Sequence, residues 1–201
     1  VAQSTSLATD SISDFVTGED KLQITLDYST LTSALDINAV RSSAGVAGTT
    51  LAQGTLSGQR GQFVFDTTGN AVYVNVNNDN LLTTQDIKIS IPAASTATAS
   101  IVEGDVNFVI TGGSGDDTIV SGAGADVIVT NAGADVVTAG GGLDHITLGA
   151  GAERVVVGST TASTDIVEGF TSTADDIDLT TALLNNGTAT IVDAGDISAS
   201  A

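Results

Sequence analysis

Between Gly112 and Val156 a β-branched apolar residue returns at every ninth position: Ile119, Ile128, Val137, Ile146 and Val155. In a strand only three residues long, the middle side chain alone faces one way. The spacing therefore predicts one short strand per nonapeptide, with the Ile/Val column inside and six residues of turn between strands. Counted from Gly112, glycine holds the fourth place of all five nonapeptides: Gly115, Gly124, Gly133, Gly142 and Gly151. The second place is Gly113, Gly122, Asn131, Gly140 and Gly149. Glycine recurring in this way implies positive φ or close backbone approach, and asparagine is the other residue that tolerates the left-handed region. One nonapeptide buries almost nothing, so the repeats must stack to make a core.

Outside the repeats the pattern is less regular. Leu22, Ile24 and Leu26 alternate with polar residues and predict a half-buried strand after a turn at Gly18. Residues 62–76 read as a hairpin, with Phe63–Phe65 and Val72–Val74 as its arms and a turn at residues 66–70. Ile87 to Ile91 alternates as a further strand. Leu31, Leu35 and Ala39 stand at helical spacing and predict a short helix within residues 28–42, with Thr30 or Thr32 as its cap. Residues 1–9 read as a linker or edge strand, residues 43–61 as a Gly/Ser/Thr loop and residues 93–100 as a linker or weak strand. Ile101 and Ile110 continue the inner column backwards in steps of nine, so Glu103 and Asp105 could serve its first turn. After Gly158 the period fails; Ile166-Val167 and Ile191-Val192 resume as short strands, and Asn186-Gly187 marks a turn.

Two distant segments correspond. Thr9, Asp10, Phe15, Asp20, Leu22 and Ile24 match Thr164, Asp165, Phe170, Asp175, Ile177 and Leu179 at a constant offset of 155. The correspondence predicts a module of that length, of which the chain holds one copy and the start of the next.

The sixth place of each nonapeptide is an acid: Asp117, Asp126, Asp135, Asp144 and Glu153. Stacked turns put these carboxylates in rows. Two like charges ~4 Å apart repel by about 4 kcal/mol at an effective dielectric of ~20. A row of them requires a cation between its members, and hard oxygen donors favour calcium. Acids outnumber bases 24 to 5 over 201 residues, a formal charge of −19. That argues against nucleic acid or an anionic membrane surface as partner. Cysteine is absent, so no disulfide or thiol chemistry is available. His145, the single histidine, falls at a seventh place and is predicted to face solvent. One histidine without cysteine supports no zinc motif and no nucleophilic triad. The glycines precede strands rather than helices and form no phosphate loop. Asn75, Asn77, Asp79 and Asp86 stand at places 1, 3, 5 and 12 of a calcium-loop spacing. Asn75 there replaces the leading Asp and Asn80 the turn glycine, so a plain connection between strands is expected. No apolar run approaches a membrane span.

Gly112-Gly113-Ser114-Gly115-Asp116-Asp117-Thr118-Ile119-Val120 fits the pattern Gly-Gly-x-Gly-x-Asp-x-U-x, with U a large apolar residue. The nonapeptides thus resemble the calcium-binding repeats of RTX (repeats-in-toxin) proteins. The next three keep the fourth, sixth and eighth places, and the fifth carries Glu153 where the family has Asp. The segment from Thr164 to Leu179 resembles the one that closes the open end of such rolls. The resemblance implies an all-β fold: a parallel β-roll over residues 101–158, a β-rich cap and linker domain over 1–100 that ends a preceding module, and the start of the next cap over 159–201. It implies that alternate turns lie on opposite edges. Asp117, Asp135 and Glu153 would then share one edge and Asp126 and Asp144 the other, with roughly three ions in the weak range of extracellular modules, ~10⁻⁴–10⁻³ M. Carried over residue by residue, the calcium ligands come from Gly113, Gly115, Asp117, Gly122, Gly124, Asp126, Asn131, Gly133, Asp135, Gly140, Gly142, Asp144, Gly151 and Glu153.

The function implied by this resemblance is that of a structural, non-enzymatic protein, most similar to RTX surface-array (S-layer) proteins. The resemblance implies secretion through a type I channel, folding on meeting calcium outside the cell, and assembly with copies of itself, with cell-surface polysaccharide as a further partner. No nucleic-acid partner and no membrane insertion are expected. The alternatives are the stalk of an adhesin and the secretion module of a protease or lipase.

Overall fold

The computed structural model describes residues 10–12, 15–16, 18–38, 59–66, 71–77, 86–90, 103–157 and 165–179. The nonapeptides become strands β8 (Thr118–Val120), β9 (Val127–Val129), β11 (Val136–Thr138), β12 (His145–Thr147) and β14 (Arg154–Val157). Each strand takes the seventh to ninth places. Their centres, Ile119, Ile128, Val137, Ile146 and Val155, are fully buried. Successive strands alternate between two parallel sheets. β8, β11 and β14 pair in one, with Ile119, Val137 and Val155 in register. β9 and β12 pair in the other, where Ile128 is flanked by Ile146 and Ile110. The structure is therefore the parallel β-roll that the resemblance implies. The core is the seam where the two inner columns meet. A minor ladder joins β10 (Ala132–Gly133) to β13 (Ala150–Gly151).

The roll is longer than residues 101–158. At its front, β2 (Leu22–Asp27) lies parallel on β7 (Val106–Thr111), and β3 (Asp36–Asn38) lies parallel on β8. Phe108, facing Ile24, is the largest fully buried side chain. At its rear, β15 (Ile166–Glu168) adds to β12 and β16 (Asp176–Leu179) adds to β14. Both boundaries drawn from the sequence, 100/101 and 158/159, are thus crossed by β-ladders. Among the described residues each main sheet has five strands, ordered β16-β14-β11-β8-β3 and β15-β12-β9-β7-β2. The segment read as the end of a preceding roll forms the first rung of this one.

The helix expected in residues 28–42 does not form over its described part. Residues 29–30 turn, and Asp36–Asn38 is strand β3; residues 39–42 lie outside the described residues. A short isolated helix is marginal in water. An extended path instead lets Leu35 donate its N–H to Asp117 Oδ1 at 2.9 Å and accept from Thr118 N–H at 2.8 Å. It also buries Ile37 completely against Ile119. Pairing across the roll outweighs three apolar residues at helical spacing.

A smaller sheet packs beside the front of the roll. β4 (Phe63–Asp66) and β5 (Ala71–Val74) form the expected hairpin, β6 (Ile87–Ser90) continues it antiparallel, and β1 (Asp10–Ser11) closes it parallel to β6. Glu103–Asp105 is one 3-10 turn leading into β7. Residues 1–9, 93–100 and 185–201, and with them the expected strand at Ile191-Val192, lie outside the described residues.

Removing a fully buried aliphatic side chain typically costs 2–5 kcal/mol. Ile37→Ala should therefore lower stability about as much as Ile119→Ala in urea unfolding with calcium present. A cost below about 0.5 kcal/mol, the size of an ordinary surface change, would mean that β3 is no part of the roll.

Candidate metal centre

The turns between strands place the sixth-position acids where the chain bends from one sheet to the other. Tight stacking fixes the glycines that precede them. A Cβ built on Gly151 would stand 1.6 Å from the carbonyl oxygen of Gly133, in the turn two repeats earlier. One on Gly142, at φ +120°, would stand 2.0 Å from the carbonyl oxygen of Gly124. Only glycine fits between turns that approach so closely. Asn131 adopts φ 68°, the left-handed value its substitution for glycine requires.

All five acids are buried. They form two ladders in which Asp117, Asp126, Asp135 and Asp144 each accept a backbone N–H from the turn before on the same edge. On one edge Leu35 N–H donates to Asp117 Oδ1, and Asp117 N–H donates to Asp135 Oδ1 at 2.8 Å. On the other, Phe108 N–H donates to Asp126 Oδ1 at 2.7 Å, and Asp126 N–H to Asp144 Oδ1 at 2.9 Å. Arg154 N–H donates to Asp135 O at 2.8 Å, so Asp117, Asp135 and Glu153 fall on one edge and Asp126 and Asp144 on the other, the arrangement the resemblance implies. Asp117 also folds back on its own turn, its Oδ2 accepting Gly113 N–H.

The ladders continue past the repeats. Asp144 N–H donates to Asp165 Oδ1 at 3.2 Å and Glu153 N–H to Asp175 Oδ1 at 3.0 Å. Asp165 and Asp175 therefore hold the next rung of each edge, and the period missed them. The separations from Asp144 and Glu153 are 21 and 22 residues rather than 18, so counting in nines does not reach them. The signal that could have found them is the match of Asp165 and Asp175 to Asp10 and Asp20.

The other candidates do not join the ladders. Asp105 is buried at the front, where its Oδ1 accepts Gly18 N–H at 2.9 Å and lies 3.4 Å from Lys21 Nζ. Asn75 and Asp86 are buried beside the hairpin, and Asp86 Oδ1 accepts Val76 N–H at 3.3 Å. The residues of that connection between Asn77 and Asp86 lie outside the described set. His145 is half-exposed, with Nε2 3.2 Å from Glu168 Oε2.

Asp135 and Asp144 each place Oδ1 on the backbone of the turn before, whereas Asp117 places both its oxygens on backbone N–H groups. The second oxygens of Asp135 and Asp144, and Oε1 of Glu153, are buried without a hydrogen-bond partner. Leaving such an atom unsatisfied is costly, more so if it is charged. Burial drives these groups toward the neutral form: Asp135 is raised to about 6 and Asp144 to about 8. Glu153 is raised to about 7 by burial and then by its contact with Asp175. Asp175 is correspondingly lowered by that contact, despite burial pulling the other way. Among the described residues no three acidic or histidine side chains converge on one point. A cation would therefore take a carboxylate from a turn together with backbone carbonyls. The space a Cβ on Gly151 would fill borders both Gly133 O and, at 2.7 Å, Glu153 Oε1. This oxygen-only set fits calcium.

The raised values make the metal-free fold sensitive to pH. Without metal, the folded form holds protons that the unfolded chain, with carboxylates near 3.8 and 4.5, has released. Their contribution is complete below the unfolded values and is lost as pH rises through about 6, 7 and 8. In chelator the β signal in circular dichroism should thus be stronger near about pH 5 than near about pH 8. Apparent calcium affinity should rise over the same window, since ion and proton compete. Asp144→Asn should flatten the chelator profile; an unchanged profile would exclude Asp144 as its source.

Residues 109–128 and 121–155 match the family model of the RTX calcium-binding nonapeptide repeat, with four copies. No curated protein and no solved structure matches the chain. The matched stretch is the one whose turns carry the two carboxylate ladders. Residues 109–155 are RTX calcium-binding nonapeptide repeats, and the ion such repeats bind is Ca2+.

Proposed function

We propose that this is a structural, calcium-dependent component of a cell surface, secreted unfolded and folded outside the cell by the ions that fill its two ladders. One observation carries this reading: buried carboxylate oxygens on Asp135, Asp144 and Glu153 that no protein group satisfies. In a chain of net charge −19, burying these groups ionised opposes folding. Calcium reverses the sign of that contribution. Where free calcium is scarce the chain stays open and suits export; at the millimolar levels outside cells, binding free energy becomes folding free energy.

On this reading each ion lies between turns two repeats apart. One ladder offers Asp117, Asp135, Glu153 and Asp175, and the other Asp126, Asp144 and Asp165. The glycine turns at residues 113–115, 122–124, 140–142 and 149–151, with Asn131 and Gly133, supply carbonyl oxygens. Type I secretion fits a chain without cysteine, since RTX-repeat proteins are generally exported by that route. A role in assembly rather than catalysis fits the outward faces of the roll. Val127 is exposed, Val129 and Val136 are half-buried, and Leu143 is the most exposed large apolar side chain. Such a surface can carry contacts between copies.

Chelation at neutral pH should abolish the β signal and added calcium restore it; a spectrum indifferent to chelator would remove calcium from the account of folding. Asp135→Ala removes the acid between Asp117 and Glu153 on its edge and takes away the acceptor of Asp117 N–H. Calorimetric titration should show it losing more bound calcium than Glu153→Ala, whose neighbour Asp175 remains as a second carboxylate. Equal losses would overturn the edge assignment.

A further inference from the structure

The segments that correspond at an offset of 155 are also the same structure. In the first, Val16 N–H donates to Asp20 Oδ2 at 2.7 Å, and the N–H groups of Glu19 and Asp20 return to Val16 O. In the second, Thr171 N–H donates to Asp175 Oδ2 at 2.7 Å, and Ala174 and Asp175 N–H return to Thr171 O. Adding 155 to 16, 19 and 20 gives 171, 174 and 175, so the bonds coincide one for one. Phe15 is buried and Phe170 packs on the same core; Ile12 and Val167 both face inward.

The two copies nevertheless use opposite edges of their strands. Along a strand, successive residues direct their N–H and C=O to alternate sides. In the rear copy, Asp176 N–H donates to Glu153 O just before β14, Ile166 N–H donates to Asp144 O just before β12, and Glu168 O accepts from Leu148 N–H just after it. Subtracting 155 converts 176, 166 and 168 to 21, 11 and 13, all odd. In the front copy the bonds come from even positions. Ile12 N–H reaches Ser90 O on β6, and Tyr28 N–H reaches Thr111 O beyond the paired length of β2 and β7. One segment thus pairs backwards through its odd residues in one place and forwards through its even residues in the other.

We propose that the module joins head to tail with a second copy of itself, a single 15-residue segment serving as the last rung of one roll and the first rung of the next. The register allows it. Val155 pairs with Ile177, which is equivalent to Leu22, and Leu22 pairs with Val106. Val155, Leu22 and Val106 are all buried on the inner face, so the three columns align without a slip. The other strand of the segment agrees: β15 follows β12, and its equivalent β1 precedes β6. The β14 sheet of one module would then run into the β7 sheet of the next, and the β12 sheet into the small hairpin sheet. Among the described residues β16, β15 and β2 end their sheets, and β1 ends the hairpin sheet. Strand ends of this kind template further pairing. The occupant is another copy of the module, because only that sequence carries the complementary edge in this register. Joining of this kind depends on pairing geometry and not on export or surface location.

The test is a joined chain in which residues 1–179 run directly into residues 25–201, so that positions 165–179 serve both modules. In saturating calcium, small-angle scattering should show one rod of unchanged cross-section and about twice the length, with a single melting transition. Two transitions, or the scattering of two units on a hinge, would overturn the proposal. Ile177→Ala adds a second reading. Its side chain is half-buried in the single chain and enclosed between Val155 and the next Val106 in the joined one, so the fall in melting temperature should be at least twice as large in the joined chain. Equal falls would count against a shared strand. If the joined chain does not fold, the original chain decides. Replacing residues 165–179 with the sequence of residues 10–24 should preserve calcium-dependent folding where a scrambled segment does not, and failure of that swap would reject the equivalence. Chelation reports on the calcium reading separately, so the two can fail independently.

Discussion

Stacking in this molecule brings like charges together out of water. Asp126, Asp135 and Asp144 each present a buried carboxylate to the backbone of the turn eighteen residues before, and Asp117 presents its own to Leu35. The hydrogen bond from Asp117 N–H to Asp135 Oδ1, and its counterpart from Asp126 to Asp144, set the spacing of the coil. The same contact leaves a second oxygen on Asp135 and on Asp144 with no protein partner. The geometry that closes the turns therefore also creates the demand for a cation. A proton or a bound cation can meet it, and the oxygen donors suit calcium.

The hydrophobic part of the fold is thin by comparison. Each nonapeptide contributes one fully buried Ile or Val at the centre of its strand, and a stack of such columns stabilises the roll only when several rungs are present. The ends matter for this reason. At the front Phe108, Ile24, Leu26 and Phe15 thicken the core where the hairpin sheet meets the roll. At the rear the segment from Asp165 to Leu179 supplies one more strand to each sheet and one more acid to each ladder. A cap here continues both the apolar column and the polar edge.

The front and rear segments together show how one sequence element meets two requirements. A strand in a parallel sheet has two edges, and the alternation of N–H direction assigns odd and even residues to different neighbours. The copy at Asp10–Ile24 uses one set and the copy at Asp165–Leu179 the other. Lys21 reaches Asp105 and Gly104 O at the front, whereas its equivalent Asp176 lies near Arg154 at the rear. Charged residues at that position differ between the copies, while the inward apolar positions and the turn acid agree.

Much of the roll was legible in the sequence because its causes are local and periodic. The alternation of Ile119, Ile128, Val137, Ile146 and Val155, the glycine required by close turns, and an acid in every sixth place each reflect a nine-residue rule that operates within one turn and its neighbours. The division of the acids between two edges was implied by the resemblance that this pattern supports. What the sequence left open was decided by contacts between distant parts of the chain. Leu31, Leu35 and Ala39 stand at helical spacing, yet Asp36–Asn38 is a strand because Leu35 and Ile37 find hydrogen bonds and a buried surface on Asp117, Thr118 and Ile119. Asp165 and Asp175 join the ladders although their spacing breaks the period, since their place is fixed by the stack and not by counting. The front segment, alike in sequence to the rear one, starts this roll because its even-numbered edge meets β7. A repeat can specify its own rung from local pattern alone, but which strand occupies the end of a sheet is settled only when the whole stack is assembled.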